Sequence, residues 1–232
     1  IKKDADKSSI VTQIELKANE KYHFGKPYIE TVTLKFFSSE EDAIKAFNDL
    51  EVDGICYLLP QNKDKLSRLR DPEIYRLKVP RYFAVFFNQN KSKPLTDKNV
   101  RKALAYATDK NKIVKEVLMD EASVVDSPIL RDILGIDNFT TVYEFSLEKA
   151  RKELSGWKDS NNNGILDKKF SKSDKDSTEL EITLYASDLA ELEKIANILK
   201  QQWEAIGGVK VNVEIQDRKE LRQKVIKTRE FD

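Results

Sequence analysis

Residues 180–216 read LEITLYASDLAELEKIANILKQQWEAIGGVKVNVEIQ, and this stretch decides the fold class. Apolar residues alternate with polar ones at Leu180, Ile182 and Leu184 and again over residues 209–215, and both runs predict β-strands. Between them, large apolar residues recur at helical spacing after Ser187, a predicted N-cap, and Gly207-Gly208 is typical of a helix end. A strand, a helix and a strand in this order predict two parallel strands with a right-handed crossover.

Upstream of this βαβ unit, helices and strands are predicted in mixed order. Helices are predicted after four N-cap residues, which are Ser39, Thr96, Asp109 and Ser146. A polar helix is expected around residues 61–70, and Asp217 is expected to begin a final helix. Strands are predicted at residues 10–17, 32–37, 52–58 and 82–88. The sequence therefore predicts an α/β protein.

Composition and charge exclude several classes of protein. The 232 residues include 41 Lys and Arg against 40 Asp and Glu, and the net charge of +1 does not favour a nucleic-acid partner. No apolar run approaches the ~20 residues of a membrane-spanning helix. Cys56 is the only cysteine, so an internal disulfide is impossible. The chain does not begin with Met, and we expect it to be an internal part of a longer protein.

Residues suited to catalysis are scarce. His23 is the only histidine, and it lies in a turn-like aromatic segment rather than beside a nucleophile. The paired acids, such as Glu40 and Glu41, fall at helix starts or on solvent-facing positions. The 7 glycines form no phosphate-binding loop before a helix. We therefore expect neither an enzyme nor a bound cofactor.

Residues 159–167, DSNNNGILD, resemble the first nine positions of a calcium-binding loop. Asp159, Asn161 and Asn163 have the required spacing, and Gly164 supplies the turn. Position twelve, however, is Phe170 where a bidentate Glu is needed. The alternative is an Asx-rich turn between a helix and a strand, and we expect calcium to leave the chain unchanged.

Residues 82–88, YFAVFFN, form the most apolar run of the chain. Their aromatic content and length predict a strand with at least one buried face. The other face could line an apolar cleft, with Tyr82 and Asn88 as polar groups. Burial of both faces in the core is the alternative.

Several segments of the chain resemble, in order, the family 5 solute-binding proteins of ABC importers, which bind peptides or nickel. They are YHFGKPYI at residues 22–29, PLTDKNVRKALAYATDKNKIV at residues 94–114, and GWKDSNNNGILD at residues 156–167. Residues 94–114 are the most specific of these segments. The Asn, Lys and Ile usage, with few glycines, departs from typical members of the family.

The resemblance implies a periplasmic-binding-protein-like fold in which two α/β lobes close on a ligand. Residues 1–80 then correspond to the late part of lobe I, residues 81–232 to most of lobe II, and the hinge to residues 79–88. It also implies an extracytoplasmic protein that delivers its ligand to ABC permease subunits, with membrane attachment only through a lipid anchor outside this chain. The family's acidic residue for the ligand's ammonium group would lie beyond Asp232.

Because the aromatic run falls at the expected hinge, we predict that one face of it binds the ligand. The ligand-binding face comprises Tyr82, Ala84, Phe86 and Asn88, and the opposite face comprises Phe83, Val85 and Phe87, which should be buried under the Val100–Ala107 helix. Half of the cleft lies outside this chain, so we expect the chain alone to bind peptides weakly or not at all. The alternative function is a calcium-dependent surface or structural module on the same scaffold.

Overall fold

The computed structural model describes residues 2–3, 11–67, 71–76, 82–128 and 142–232. The chain divides into two compact units, Ile1–Arg76 and Leu77–Asp232. No helix in the described ranges is both long and apolar enough to cross a membrane. The predicted lobe boundary near residue 80 falls on residues outside the described ranges, so it stays a prediction.

In its described residues, the first unit contains a three-stranded antiparallel sheet, one α-helix and one 3₁₀ helix. The strands are β1 (Lys2–Lys3), β2 (Val11–Lys17) and β3 (Thr31–Lys35), in that spatial order. Helix α1 (Glu40–Asn48) begins at Ser39, whose side chain accepts a hydrogen bond from the Asp42 N–H as predicted. The 3₁₀ helix spans Pro60–Lys65.

The sheet of the first unit has one polar and one apolar face. The register places Ile14 opposite Leu34 and Leu16 opposite Val32, so apolar side chains pair across the strands. Leu16, Val32 and Leu34 are nevertheless exposed. Among the described residues, nothing buries this apolar face.

The second unit contains the predicted βαβ motif and most of the helices. Its helices within the described residues are α2 (Lys93–Thr96), α3 (Lys98–Ala107), α4 (Lys110–Leu118), α5 (Leu147–Glu153), α6 (Ala190–Glu204) and α7 (Arg218–Glu220), the last continuing as a π-helix over Leu221–Ile226. Its strands are β4 (Asp167–Lys168), β5 (Thr178–Glu179), β6 (Glu181–Ser187) and β7 (Lys210–Gln216). Strands β6 and β7 pair in parallel from Glu181↔Lys210 to Ser187↔Gln216, which confirms the predicted parallel pairing of the βαβ unit.

A continuous apolar core joins the βαβ unit to α3 and α5. Its fully buried large side chains are Leu95, Val100, Leu104, Leu180, Trp203 and Val211. The apolar stripe predicted for α3 is buried as expected, because residues three and four apart share one helix face. Gly207 and Gly208 end α6 with φ angles of 93° and 73°, a conformation that residues with a Cβ rarely adopt.

Two predicted caps are wrong. Thr96 ends α2, where its hydroxyl donates to the Lys93 carbonyl, and the cap of α3 is Asp97, whose carboxylate accepts from the Asn99 N–H. Ser187 is the buried last residue of β6 rather than a helix cap. Helix α6 begins only after Leu189, which provides no side-chain cap. The caps at Asp109, Ser146 and Asp217 are confirmed.

Two predicted strands are absent from the described residues. Residues 52–58 form no strand, because Tyr57 takes a left-handed conformation and the Glu40 carboxylate accepts the Leu59 N–H. Residues 82–88 also form no strand, since no described residue pairs with them along a β-ladder. At residues 61–70, where a polar helix is predicted, the described part contains the 3₁₀ helix Pro60–Lys65, and residues 68–70 lie outside the described ranges.

Candidate functional site

The aromatic segment, residues 82–88, lies near the start of the second unit, and most of its side chains are exposed. Phe86 has 73% of its surface accessible, and Tyr82 and Ala84 are exposed as well. Only Phe87 packs against the core, with its ring 6.3 Å from that of Trp203 on α6. Aromatic surface of this kind is available to a ligand.

The predicted burial of the opposite face is therefore wrong for two of its three residues. Phe83 and Val85 are 39% and 38% exposed and do not lie buried under α3. The two-residue alternation of a strand does not apply because the segment lacks strand pairing. The predicted ligand-binding residues Tyr82, Ala84, Phe86 and Asn88 are accessible or half-buried, and their role in binding stays a prediction.

Asn88 anchors the aromatic segment to the end of the chain. Its amide nitrogen donates to the Arg229 carbonyl at 2.8 Å, and its amide oxygen accepts from the Asn90 N–H at 3.2 Å. Its backbone carbonyl accepts from the N–H groups of Lys91 and Ser92. Because both ends of the amide already bond within the protein, Asn88 fixes the geometry of this surface.

The final turn of the chain supplies charge next to Asn88. Lys91 forms an ion pair with Glu230, and this bond raises the pKa of the Lys91 ammonium group. Farther along, the Asp232 carboxylate accepts the Thr183 N–H of β6 at 2.6 Å. Sequence reasoning missed these contacts, because they join residues separated by 139 and 49 positions.

Asp97 is a second polar junction of the second unit. Its carboxylate accepts from Lys168 Nζ at 2.8 Å and from Trp157 Nε1 at 3.2 Å, besides capping α3. Burial raises the pKa of Asp97, but the bonds from Lys168, the Asn99 N–H and Trp157 outweigh it, so the pKa lies below its ordinary value. This junction attaches the helix to the residue 157–168 hairpin.

In the calcium-like loop, backbone N–H groups already occupy the oxygens that a cation would use. Asp159 accepts from the N–H groups of Asn163 and Gly164 through separate oxygens, and the Asn163 amide oxygen accepts from the Ile165 N–H. These are the bonds of an Asx-rich turn.

A carboxylate from β5, that of Glu179, also contacts this loop. Glu179 accepts from the amide nitrogens of Asn161 and Asn163, and the side chain of Phe170 packs at 5.7 Å against the ring of Trp157. Within the described ranges, no group of three or more His, Cys, Asp or Glu side chains is placed to hold a metal ion.

Two further features are too limited to form a ligand site. A depression of about 180 Å³ lies between α4, α6 and Phe145, and it is smaller than the ~300 Å³ at which ligand pockets begin. His23 packs against the rings of Tyr22 and Phe24 in the first unit, within an exposed aromatic turn. Neither arrangement places a base beside a nucleophile.

Comparison with known proteins defines the class of this one. The family model of the bacterial extracellular solute-binding proteins, family 5 middle region, matches residues 6–232. The chain belongs to this family, which confirms the resemblance and the fold class. Members of the family bind solutes for transport and are not enzymes, in agreement with the scarcity of catalytic residues.

Among curated proteins, the chain is similar to peptide-binding members of the family. It is 29% identical over 213 residues to the oligopeptide-binding protein AppA of Bacillus subtilis, covering 87% of this chain and 36% of AppA. It is 29% identical over 146 residues to the dipeptide-binding protein of Escherichia coli, covering 62% of this chain and 26% of that protein. The chain thus spans about a third of the length of these relatives.

Solved structures include both peptide and nickel binders. AppA in complex with a nonapeptide has 26% identity and a TM-score of 0.59, over 91% of this chain and 41% of AppA. NikZ from Campylobacter jejuni in complex with Ni(L-His) has 27% identity and a TM-score of 0.70, over 89% of this chain and 40% of NikZ. The fold alone does not separate the two ligand classes.

Proposed function

We propose that the full-length protein is the substrate-binding component of an ABC importer and that its ligand is a peptide. The observation that carries this proposal is the peptide specificity named for the curated relatives AppA, the E. coli dipeptide-binding protein and OppA of Lactococcus lactis. In this proposal, residues 1–80 belong to lobe I and residues 81–232 to lobe II. The protein acts outside the cytoplasm and passes its ligand to permease subunits.

The aromatic segment supports a peptide ligand on physical grounds. Exposed Tyr82 and Phe86 offer apolar surface that a peptide side chain can cover, and aromatic rings dominate the energetics of such contacts. Asn88, bonded on both sides, fixes the end of the segment so that less ordering is required on binding. The ligand is enclosed only when both lobes are present, because burial of about 70–90% of a ligand needs two walls.

The test is a calorimetric titration of the full-length protein with alanine peptides of two, five and nine residues and with Ni(L-His). Binding of at least one peptide supports the proposal, and Phe86→Ala should weaken it about tenfold through loss of aromatic contact. The matched control is Phe145→Ala, which truncates an exposed phenylalanine outside the segment. Binding of Ni(L-His) without any peptide would assign the protein to the nickel class.

The chain alone provides a second test. Residues 1–232 should bind the same peptides at least about 100-fold more weakly than the full-length protein, since one wall is missing. Equal affinity of the two proteins would show that the aromatic segment and its surroundings form a complete site.

A further inference from the structure

Positive charge is concentrated in one segment of the second unit. Residues 218–229, RKELRQKVIKTR, contain six Lys or Arg residues and one Glu. The net charge of the whole chain is +1, so the other 220 residues together carry a net charge of −4. Residues 218–226 form α7 and the π-helix that continues it. The balanced composition of the chain therefore includes one strongly basic element, residues 218–229, which we call the basic helix.

The inner side of the basic helix is already packed against β6. Val225 is 5% exposed, and Leu221, four residues earlier, is half-buried. Residues four apart share one face of a helix, so these two define the inward face. Every other side chain of the basic helix belongs to an exposed residue. Packing of the second unit therefore does not account for the cations of this segment.

Only part of the charge is neutralised within the described part of the chain. On one flank of the basic helix, Lys224 pairs with Glu220 at 2.8 Å. On the other flank, Arg218 and Arg222 are four residues apart and Ile226 follows after four more, so the three side chains form one row. The two flanks therefore differ, and the second one is purely cationic and apolar.

Two lysines widen this row towards solvent. Lys219 and Lys227 are exposed, and no described residue forms an ion pair with either of them or with the two arginines of the row. Asp217 precedes the row, but its carboxylate caps α7 by accepting two backbone N–H groups. The resulting surface, which we call the basic face, consists of Arg218, Lys219, Arg222, Ile226 and Lys227.

The basic face combines two kinds of side chain that call for different partners. Its four cations attract anionic groups, whereas Ile226, which is 55% exposed at the end of the row, gains from an apolar environment. An anionic phospholipid surface offers both, with phosphates at the outside and the acyl boundary just beneath them. The long stems of Arg and Lys reach the phosphates while an apolar neighbour enters that boundary.

We propose that the basic face binds the anionic phospholipid surface of the membrane. The proposed function places the protein outside the cytoplasm beside the membrane that holds the permease, and the inference rests on it for this location only. Each Lys or Arg near an anionic surface strengthens binding about fivefold, so four of them give a reversible, peripheral contact. Such a contact keeps the protein at the membrane surface in addition to any lipid anchor.

The experiment is co-sedimentation of the unlipidated full-length protein with vesicles. One set is phosphatidylcholine alone, and the other is an equimolar mixture of phosphatidylcholine and phosphatidylglycerol. The protein should bind the mixed vesicles only, and the binding should disappear between about 0.1 M and about 1 M salt, where the Debye length falls from ~10 Å to ~3 Å. Absence of binding that depends on phosphatidylglycerol overturns the inference.

A triple variant tests the basic face itself. Arg218→Gln, Lys219→Gln and Arg222→Gln together should weaken binding to the mixed vesicles about 100-fold. The matched control removes three exposed lysines of α3, α4 and α5 that have no ion pair within the described ranges, and it should leave binding unchanged. Its substitutions are Lys98→Gln, Lys115→Gln and Lys152→Gln. Equal losses in the two triple variants would mean that net charge alone attracts the protein, which overturns the inference.

Ile226→Ser distinguishes a lipid from an acidic protein surface. The substitution should weaken vesicle binding about fivefold, because the apolar side chain no longer enters the acyl boundary. Unchanged binding would overturn the choice of a lipid as the partner. Both triple variants and Ile226→Ser should keep the wild-type melting temperature, since the substituted side chains are exposed.

The vesicle assay contains no peptide, so its outcome is separate from that of the ligand titration. A protein that binds peptides but no anionic vesicles would overturn the membrane contact and leave the proposed function standing. A protein that binds anionic vesicles through the basic face but no peptide would keep the membrane contact while the proposed function fails.

Discussion

The antiparallel sheet of the first unit and the parallel pair β6 and β7 of the second unit treat similar apolar side chains in opposite ways. In the second unit, Val211 of β7 is fully buried, because α6 and the neighbouring helices cover the parallel pair β6 and β7. In the first unit, Val32 of β3 is 42% exposed although it faces Leu16 across the antiparallel pair. The parallel sheet is covered by helices and belongs to the apolar core. The antiparallel sheet has an apolar face that no described residue covers.

The aromatic segment contains the same contrast within two consecutive residues. Phe87 is packed against the core near Trp203, whereas Phe86 is 73% exposed. Apolar character alone therefore does not identify the core of this protein. A side chain is buried only where another element packs over it. Val32 and Phe86, the exposed members of the two pairs, belong to surfaces that are available for interaction.

The largest expected effect comes from the two phenylalanines. Phe87→Ala should lower the free energy of unfolding by about 3 kcal/mol, because it opens a cavity beside Trp203. Phe86→Ala should lower it by less than about 1 kcal/mol, since its ring is mostly in water already. Urea unfolding followed by tryptophan fluorescence measures both, and equal losses would show that Phe86 is also a core residue.

The two valines test the contrast between the sheets. Val211→Ala should cost about 2 kcal/mol, from the transfer of its buried methyl groups and the cavity that remains. Val32→Ala should cost less than about 1 kcal/mol in the same chain. Far-UV circular dichroism during urea unfolding reports both units. A cost for Val32→Ala as large as that for Val211→Ala would mean that the antiparallel sheet is covered.

A smaller effect is expected for the charge of Asp97, which caps α3 and forms an ion pair with Lys168. Asp97→Asn keeps an N-cap for α3 but loses the ion pair with Lys168, and we expect a loss of about 1 kcal/mol near neutral pH because Lys168 is partly exposed to solvent. Asp109→Asn is the matched control, since Asp109 caps α4 and forms no ion pair within the described ranges.

The pH dependence of this effect has a definite sign. The pKa of Asp97 is lowered on folding, so its stabilisation is fully present above the ordinary value of 3.8 and is lost as the pH falls through the lowered value. The stability difference between wild type and Asp97→Asn should therefore shrink below about pH 4. Trp157 fluorescence follows it, because the indole donates to Asp97. A difference that stays constant to pH 2 would contradict the ion pair.

The predictable part of the fold is the part held by local contacts. The α3 stripe, the caps at Asp109 and Ser146, and the parallel βαβ unit follow from spacing along the chain, and the structure confirms them. The errors at Thr96 and Ser187 are shifts of one and two residues, caused by a one-turn helix and by a strand longer than its apolar pattern.

The unpredictable part depends on partners distant in the sequence. The strand expected at residues 82–88 lacks a pairing partner among the described residues, and alternation along the chain cannot reveal that. The bond between Asn88 and Arg229 spans 141 residues, so no local pattern could have pointed to Arg229. The accessible aromatic surface was predictable from composition, and the charge beside it was not.

The smallest expected effect is that of calcium. It concerns polar groups that already have partners within the protein, as the buried apolar side chains do. For a cation to bind at residues 159–167, Asp159 would have to give up two backbone hydrogen bonds, and Phe170 offers no carboxylate in return. Addition of millimolar calcium should therefore leave the melting temperature and the Trp157 fluorescence unchanged. Asp159→Ala should destabilise the turn by about 1 kcal/mol equally with and without calcium. Calorimetric binding tighter than about 10⁻⁴ M that disappears in Asp159→Ala would overturn this, because it would mean that the cation replaces the N–H groups as the partner of that carboxylate.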